Sequence, residues 1–178
     1  MIKFCNQCGH PVDFLVPAGD SLPRHVCPQC AHIQYGNPRL ILGCVAEYQG
    51  KILLCKRAIE PRLGYWTLPA GFMENNETTQ QGAARESLEE ACAQVSLDAP
   101  FALISIAGIH QVHLFYRGQM AKPDFAAGDE SLAVDLFAEH EIPWNELAFL
   151  SVRYCLERYL EDRRKGSFQF HETELVPT

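Results

Sequence analysis

Two pairs of cysteines form the first pattern in the chain that could hold a metal. Cys5 and Cys8 make one C-x2-C pair, Cys27 and Cys30 make the second, and eighteen residues separate the pairs. Brought together, the two pairs offer four sulfur ligands in the tetrahedral arrangement that Zn²⁺ prefers. Because four cysteines leave no open position for a substrate, we expect this Zn²⁺ to be structural. Two separate redox pairs are the less favoured interpretation, since all four cysteines lie in one core-poor segment.

A run of carboxylates forms the second pattern. Glu86, Glu89 and Glu90 are spaced i, i+3 and i+4, so a helix would project all three from one face. Like charges at these spacings destabilise a helix unless a positive charge lies against them. Oxygen ligands favour Mg²⁺ or Mn²⁺, and the backbone of Gly71, in the loop before the helix, can approach the same ion. A solvated acidic face is the alternative, equally favoured for the carboxylates taken alone.

A divalent cation on such a helix face is suited to phosphate chemistry. It would neutralise phosphate charge, orient a diphosphate and help to generate a hydroxide nucleophile. The carboxylate pattern therefore indicates metal-assisted attack of water on phosphorus, provided that the elements around it form a cleft that admits a phosphorylated ligand.

The order of residues 71–93 resembles the Nudix box, Gly-x5-Glu-x7-Arg-Glu-U-x-Glu-Glu-x-Gly-U, in which U is a bulky apolar residue. Six fixed positions match, namely Gly71, Glu77, Arg85, Glu86, Glu89 and Glu90. Ser87, Cys92 and Ala93 depart from the pattern at positions that are not expected to contact metal. The stretch WTLPAG before the box looks like the usual lead-in of this family.

The resemblance implies a role for each matching residue. Glu86 and Glu90 would be the principal ligands of Mg²⁺ or Mn²⁺, and Glu89 would be a further ligand that assists catalysis. Arg85 would pair with Glu77 and brace the loop against the helix, a contact that fixes the geometry of the ligands. Gly71 would bring its backbone to the same cofactor.

One more acid completes the expected site. Many Nudix proteins recruit an acid from a loop well after the box, and Glu130 in AAGDES is our candidate for the general base or an additional ligand. Asp129 is the second choice. Two solvated loop acids without a catalytic role are nearly as strongly favoured.

The resemblance also implies a reaction, the hydrolysis of a nucleoside diphosphate linked to another group, with release of AMP. FAD or ADP-ribose is favoured, because KFCNQCG, NPRLILGC, KILLCKR and YLEDRRKG look like stretches of the FAD/ADP-ribose pyrophosphatase branch. NADH is the alternative substrate, although the SQPWPFPxS array of NADH pyrophosphatases is absent from the sequence. The proline that hints at ADP-ribose enzymes is also absent, since Ile109 stands there. A non-catalytic nucleotide sensor and a zinc-ribbon interaction module are alternatives of another class.

Composition and periodicity predict the elements that position these residues. Residues 1–36 are rich in Cys, Pro, Gly and His, so we expect a zinc ribbon there and a Nudix domain over 37–178. The expected fold class is α/β (α+β), an α/β/α sandwich with a mixed sheet. The predicted elements are a hairpin turning at Gln49-Gly50, a strand over 66–72, a helix over 78–93, two strands within 101–120, a strand over 132–138, a helix from Pro143 to Gly166, and a tail that is either an edge strand or loose.

Further details of the 78–93 helix follow from its sequence. Thr78 and Gln81 have the spacing of a capping box. The residues expected to form its buried stripe are Ala83, Ala84, Leu88, Ala91 and Cys92.

Charge and composition limit the partners. The formal net charge is −7, and no long basic run offers the positive surface that nucleic-acid binding requires. No apolar run reaches the length of a membrane span, and the first residues lack the layout of a secretory signal. The reduced-cysteine pattern favours a cytoplasmic protein. A small-molecule dinucleotide is the expected partner; a homodimer is one possible state, suggested only by analogy with other family members.

Overall fold

The computed structural model describes residues 2–176, which form two compact units. The first unit ends at Pro38 and the second begins at Arg39. Each unit has its own sheet and its own source of stability. Among the residues described, no helix combines the length and the apolar character needed to cross a membrane.

The N-terminal unit is a small three-stranded antiparallel sheet. Its strands are β1 (Asp13–Leu15), β2 (Arg24–Val26) and β3 (Ile33–Gln34), in the order β1-β2-β3. Phe14 and Leu22 are exposed, whereas Cys5 and Cys27 are buried. A unit that leaves large apolar side chains in water needs a cross-link other than a hydrophobic core, and the buried cysteines supply its ligands.

The C-terminal unit is built on one mixed sheet. Its main strands follow the order β10-β5-β4-β9-β8-β11, with β6 paired to β5 and β7 paired to β4. The pairs β4/β9 and β8/β11 are parallel and the others are antiparallel. The elements are β4 (Arg39–Tyr48), β5 (Lys51–Arg57), β6 (Trp66–Thr67), β7 (Ala70–Phe72), α1 (Thr79–Ala91), β8 (Val95–Ile106), β9 (Gln111–Met120), β10 (Ser131–Phe137), α2 (Leu150–Lys165) and β11 (His171–Glu174).

One helix covers each face of this sheet. In β4, alternate residues point to opposite faces: Leu42 packs in the cluster that contains Ala83 of α1, and Val45 packs in the cluster that contains Val152 and Leu156 of α2. The predicted α/β/α sandwich with a mixed sheet is therefore confirmed.

Helix α1 begins with the predicted cap and buries a different face from the one predicted. Thr78 accepts a hydrogen bond from the backbone of Gln81, whose side chain accepts one from the backbone of Thr78, so the capping box is confirmed. The predicted stripe is wrong at Leu88 and Cys92, which are exposed. The buried face carries Gly82, Ala83, Glu86, Ser87, Glu90 and Ala91. The polar side chains of Glu86, Ser87 and Glu90 are therefore buried, and Leu88 is exposed to solvent.

The second helix starts later than its sequence predicts. The sequence predicts a start at Pro143, but Trp144–Glu146 form a 3-10 turn and α2 begins at Leu150. The backbone N–H of Ala148 donates to the carbonyl of Trp66 in β6, a contact that an earlier helix start would break. The 66–72 strand is likewise two short strands, β6 and β7, because its two halves pair with different neighbours.

The segment after α2 is anchored by one buried carboxylate. Asp162 is 1% exposed, and its Oδ2 accepts hydrogen bonds from the Gln169 backbone at 3.1 Å and from His171 Nε2 at 2.7 Å. These contacts lead the chain into β11, which pairs with β8. The tail is therefore an edge strand, one of the two predicted possibilities.

We expect Asp162→Ala to lower the free energy of unfolding by about 2 kcal/mol, because the His171 ring and the Gln169 backbone N–H both lose their acceptor. Glu161→Ala, one residue earlier on the helix surface, is the control, and it should cost less than about 1 kcal/mol because exposed ion pairs contribute little. Urea unfolding followed by circular dichroism measures both. Equal stabilities of the two variants would contradict the anchoring role.

Candidate functional site

The four cysteine sulfurs lie together in the N-terminal unit. Their Sγ atoms are all within 4.8 Å of one another, with 3.7 Å between Cys5 and Cys30 and 3.5 Å between Cys8 and Cys27. Sulfur ligands about 2.3 Å from one tetrahedral Zn²⁺ are separated by about 3.8 Å. The cluster therefore has the size and the donor chemistry of a closed Zn²⁺ site.

Helix α1 places the three box glutamates beside a cleft of the C-terminal unit. Glu86 and Glu90 are buried and Glu89 is exposed, and all three line a cleft of about 1160 Å³. The backbone N–H of Ala70 donates to Glu90 Oε2 at 3.1 Å. A Cβ at Gly71 would overlap the Glu86 carboxylate, so only glycine lets β7 pass this close to the helix.

Arg85 joins the loop before α1 to these carboxylates. Its Nε and Nη2 donate to both oxygens of Glu77, at 3.0 and 2.9 Å, and Nη2 also donates to the carbonyl of Phe72 at 3.0 Å. Its Nη1 binds Glu86 at 2.7 Å and Glu89 at 2.8 Å. One guanidinium therefore fixes the ends of three acidic side chains and the backbone of β7.

The buried carboxylates remain short of positive charge. Burial raises the pKa of Glu90 to about 8; the Ala70 hydrogen bond opposes this rise, and the nearby charges of Glu86 and Glu130 add to it. Burial also raises the pKa of Glu86, although Arg85 opposes the shift. Carboxylates that are desolvated side by side favour a bound cation, and oxygen donors fit a hard divalent one. The donor set therefore fits the metal expected from the sequence.

The loop before β10 brings the later acids to the same place. The backbone N–H of Gly128 donates to the carbonyl of Glu90 at 3.1 Å, and a Cβ at Gly128 would overlap the carbonyl of Glu89. This close approach sets Glu130 and Asp129 in the wall of the cleft. The structure thus brings together all the acids predicted from the sequence except Glu77, which contacts the cleft through Arg85.

Three cleft residues have no signal in the sequence. Arg57 at the end of β5, His113 on β9 and Ser151 in the first turn of α2 all line the cleft. His113 lies at an inward position in the alternating pattern of a strand, and Ser151 lies on the buried face of a helix. In the sequence each therefore looks like an ordinary core position. Only the packing of α2 over the sheet brings the latter two to the same cavity.

The cysteine cluster predicts a metal content. Purified protein should contain about one Zn²⁺ per chain, and Cys27→Ser should lose most of it because a buried thiolate ligand is removed. Cys92→Ser is the matched control, since Cys92 lies outside the cluster and should leave the Zn²⁺ content unchanged. Elemental analysis measures the metal. Four freely reacting thiols at these positions in the native protein would contradict the zinc site.

Both units match known families. Residues 3–36 match the Nudix N-terminal zinc ribbon and residues 37–156 match the NUDIX domain. A NUDIX hydrolase from Nitrosomonas europaea has a TM-score of 0.96 and 51% identity, covering 99% of this chain and 100% of that chain. A bifunctional NMN adenylyltransferase/ADP ribose pyrophosphatase from Francisella tularensis shares the fold, with a TM-score of 0.62 and 18% identity over 72% of this chain and 42% of that one.

Curated relatives match a shorter stretch. The NAD-capped RNA hydrolase NudC of Edwardsiella ictaluri is 37% identical over 95 residues, which are 52% of this chain and 34% of the relative. NudC of Pasteurella multocida is 34% identical over 95 residues, with the same coverage. The matched stretch spans about a third of the length of these relatives. The NUDIX domain match alone covers more than half of the chain, which therefore belongs to the Nudix hydrolase family.

Proposed function

We propose that this chain hydrolyses the diphosphate of an adenosine diphosphate linked to a second group and releases AMP. The observation that carries the proposal is the placement of Glu86, Glu90 and Glu130 in the wall of one cleft, with the first two buried. Water adds to one phosphorus, the bond from that phosphorus to the bridging oxygen breaks, and the second group leaves with the other phosphate.

FAD and ADP-ribose are the proposed substrates, and NAD or an NAD-linked molecule is the second candidate. The sequence stretches shared with the FAD/ADP-ribose branch favour the first pair. The names of the NudC relatives favour the second, because those proteins are named as acting on NAD-capped RNA. All of these molecules carry adenosine diphosphate, so the proposed AMP product is common to them.

In the proposed mechanism, one group of residues binds a cation and another residue accepts a proton. Glu86, Glu89 and Glu90 would hold Mg²⁺ or Mn²⁺ beside the backbone of Gly71. When bound, the cation neutralises diphosphate charge and lowers the pKa of water. Glu130 accepts the proton of the attacking water. Arg85 orients Glu86 and Glu89 from the other side.

The first test is the release of AMP from FAD, ADP-ribose and NADH, with and without Mg²⁺ or Mn²⁺. Glu90→Gln should lower turnover at least about a hundredfold, because a ligand charge at the buried site is lost. Glu161→Gln, on the exposed side of α2, is the control and should keep normal turnover. Tight nucleotide binding without AMP release from any of the three would contradict the enzyme and favour the nucleotide-sensing alternative.

A second test separates the two loop acids. Glu130→Gln should lower kcat about a hundredfold if Glu130 is the general base, while its neighbour variant Asp129→Asn should retain most activity. Steady-state kinetics at saturating Mg²⁺ measures both. Near-normal turnover of Glu130→Gln would reject the role, and loss of activity only in Asp129→Asn would move the role to Asp129.

A further inference from the structure

One part of the cleft is built from a row of residues across three strands. His113 of β9 pairs with Ile41 of β4, and Ile41 pairs with Phe72 of β7. Paired residues share a face of the sheet, here the face that α2 covers. Neighbouring strands are about 4.8 Å apart, so His113 lies about 10 Å from β7, the strand against the box glutamates. One nucleotide can span that distance.

His113 presents a hydrogen-bond acceptor with no partner. The side chain is 8% exposed, and its Nε2 donates to Gln111 Oε1 at 3.0 Å, since a carboxamide oxygen only accepts. Its Nδ1 is buried and has no partner among residues 2–176. Burial lowers the pKa of His113 to about 4, so the ring is neutral near pH 7 and Nδ1 keeps its lone pair.

Ser151 presents a second unpartnered group in the same cleft. It lies in the first turn of α2, where Phe149 provides no side-chain cap. Ser151 is 1% exposed, and its Oγ is buried with no partner among the residues described. A buried polar group without a partner destabilises the protein, because it has lost its hydrogen bonds to water. Both residues line the same cleft, and one occupant that reached both groups would satisfy them.

The walls around the two groups favour a flat ring. Phe115, Ile106 and Val152 line the same cleft and are buried. Apolar walls favour an aromatic ligand over a sugar, whose hydroxyls would lose their hydrogen bonds to water there. The ligand must also offer a donor to His113 Nδ1, and it can accept a hydrogen bond from the Ser151 hydroxyl. A nucleobase edge with one donor and one acceptor meets both requirements.

We propose that His113 and Ser151 are specificity-determining residues that bind the adenine of the substrate. His113 Nδ1 accepts a hydrogen bond from the 6-amino group, and the Ser151 hydroxyl donates one to a ring nitrogen. The choice of adenine among nucleobases rests on the proposed function, because adenine is the base common to the proposed substrates. The binding site itself rests on the unpartnered groups and the walls of the cleft.

Binding of the product separates this inference from catalysis. AMP and purine riboside 5′-monophosphate differ only in the 6-amino group, and isothermal titration calorimetry with the full chain and Mg²⁺ gives both Kd values. The wild type should bind AMP about tenfold more tightly, because without the amino group His113 Nδ1 stays unpaired. His113→Phe should bind the two ligands equally. His113→Asn, whose Oδ1 can stand near the place of Nδ1, should keep part of the difference.

Two more variants sharpen the assignment. Ser151→Ala should weaken both ligands by a similar factor and preserve their ratio, because both keep the ring nitrogens. His140→Phe, an exposed histidine outside the cleft, is the matched control and should leave both Kd values unchanged. Thermal unfolding of each variant verifies that it folds.

The outcomes separate the two proposals. Equal Kd values for AMP and purine riboside 5′-monophosphate in the wild type, or no binding of AMP, overturn the adenine site even if every variant of His113 fails to fold. A His113→Phe variant that folds and still discriminates between the ligands also overturns it. Discrimination by the wild type without any hydrolysis supports the site and overturns the proposed enzyme.

Discussion

The structure depends on the burial of two carboxylates against a strand. Glu86 and Glu90 occupy the face of α1 that a hydrophobic stripe would normally take, and they meet the backbone of β7 where Gly71 leaves room. Burying acids in this way is costly unless positive charge and hydrogen bonds compensate. Arg85 and the Ala70 N–H compensate in part, and a divalent cation supplies the remaining charge in the proposed enzyme.

Strands β6 and β7 are short and separate because they pair with different neighbours. Strand β7 pairs with β4, and its backbone lies against α1. Strand β6 pairs with β5, and the carbonyl of its residue Trp66 accepts a hydrogen bond from the Ala148 N–H. A single long strand could serve only one of these neighbours. The cleft is lined both by the carboxylates of α1 and by the first turn of α2.

The sequence predicts the parts of the site that depend on residue type at fixed spacing. The Thr78 cap is set by contacts within one helical turn, and the zinc-ribbon cysteines by two short turns, so local pattern is sufficient. Prediction from local sequence pattern fails where a contact with a residue distant in the chain determines the structure. The start of α2 is set by Trp66 and not by Pro143, and the exposure of Leu88 follows from the place that the carboxylates occupy. Ser87 stands where the family has a bulky apolar residue; it is buried, and it donates to the carbonyl of Ala83 at 3.0 Å.

The two ends of the proposed ligand would meet opposite physical conditions within one cleft. Beside α1 the wall is acidic and requires cations, so a diphosphate is attracted only when metal is bound. Beside α2 the wall is apolar, and His113 and Ser151 attract a neutral ring without any metal. Binding energy from the ring is therefore independent of the charge at the reacting phosphorus. An enzyme arranged in this way can hold the base while the cation and the water are positioned, and binding energy from a non-reacting group can then orient the diphosphate for attack.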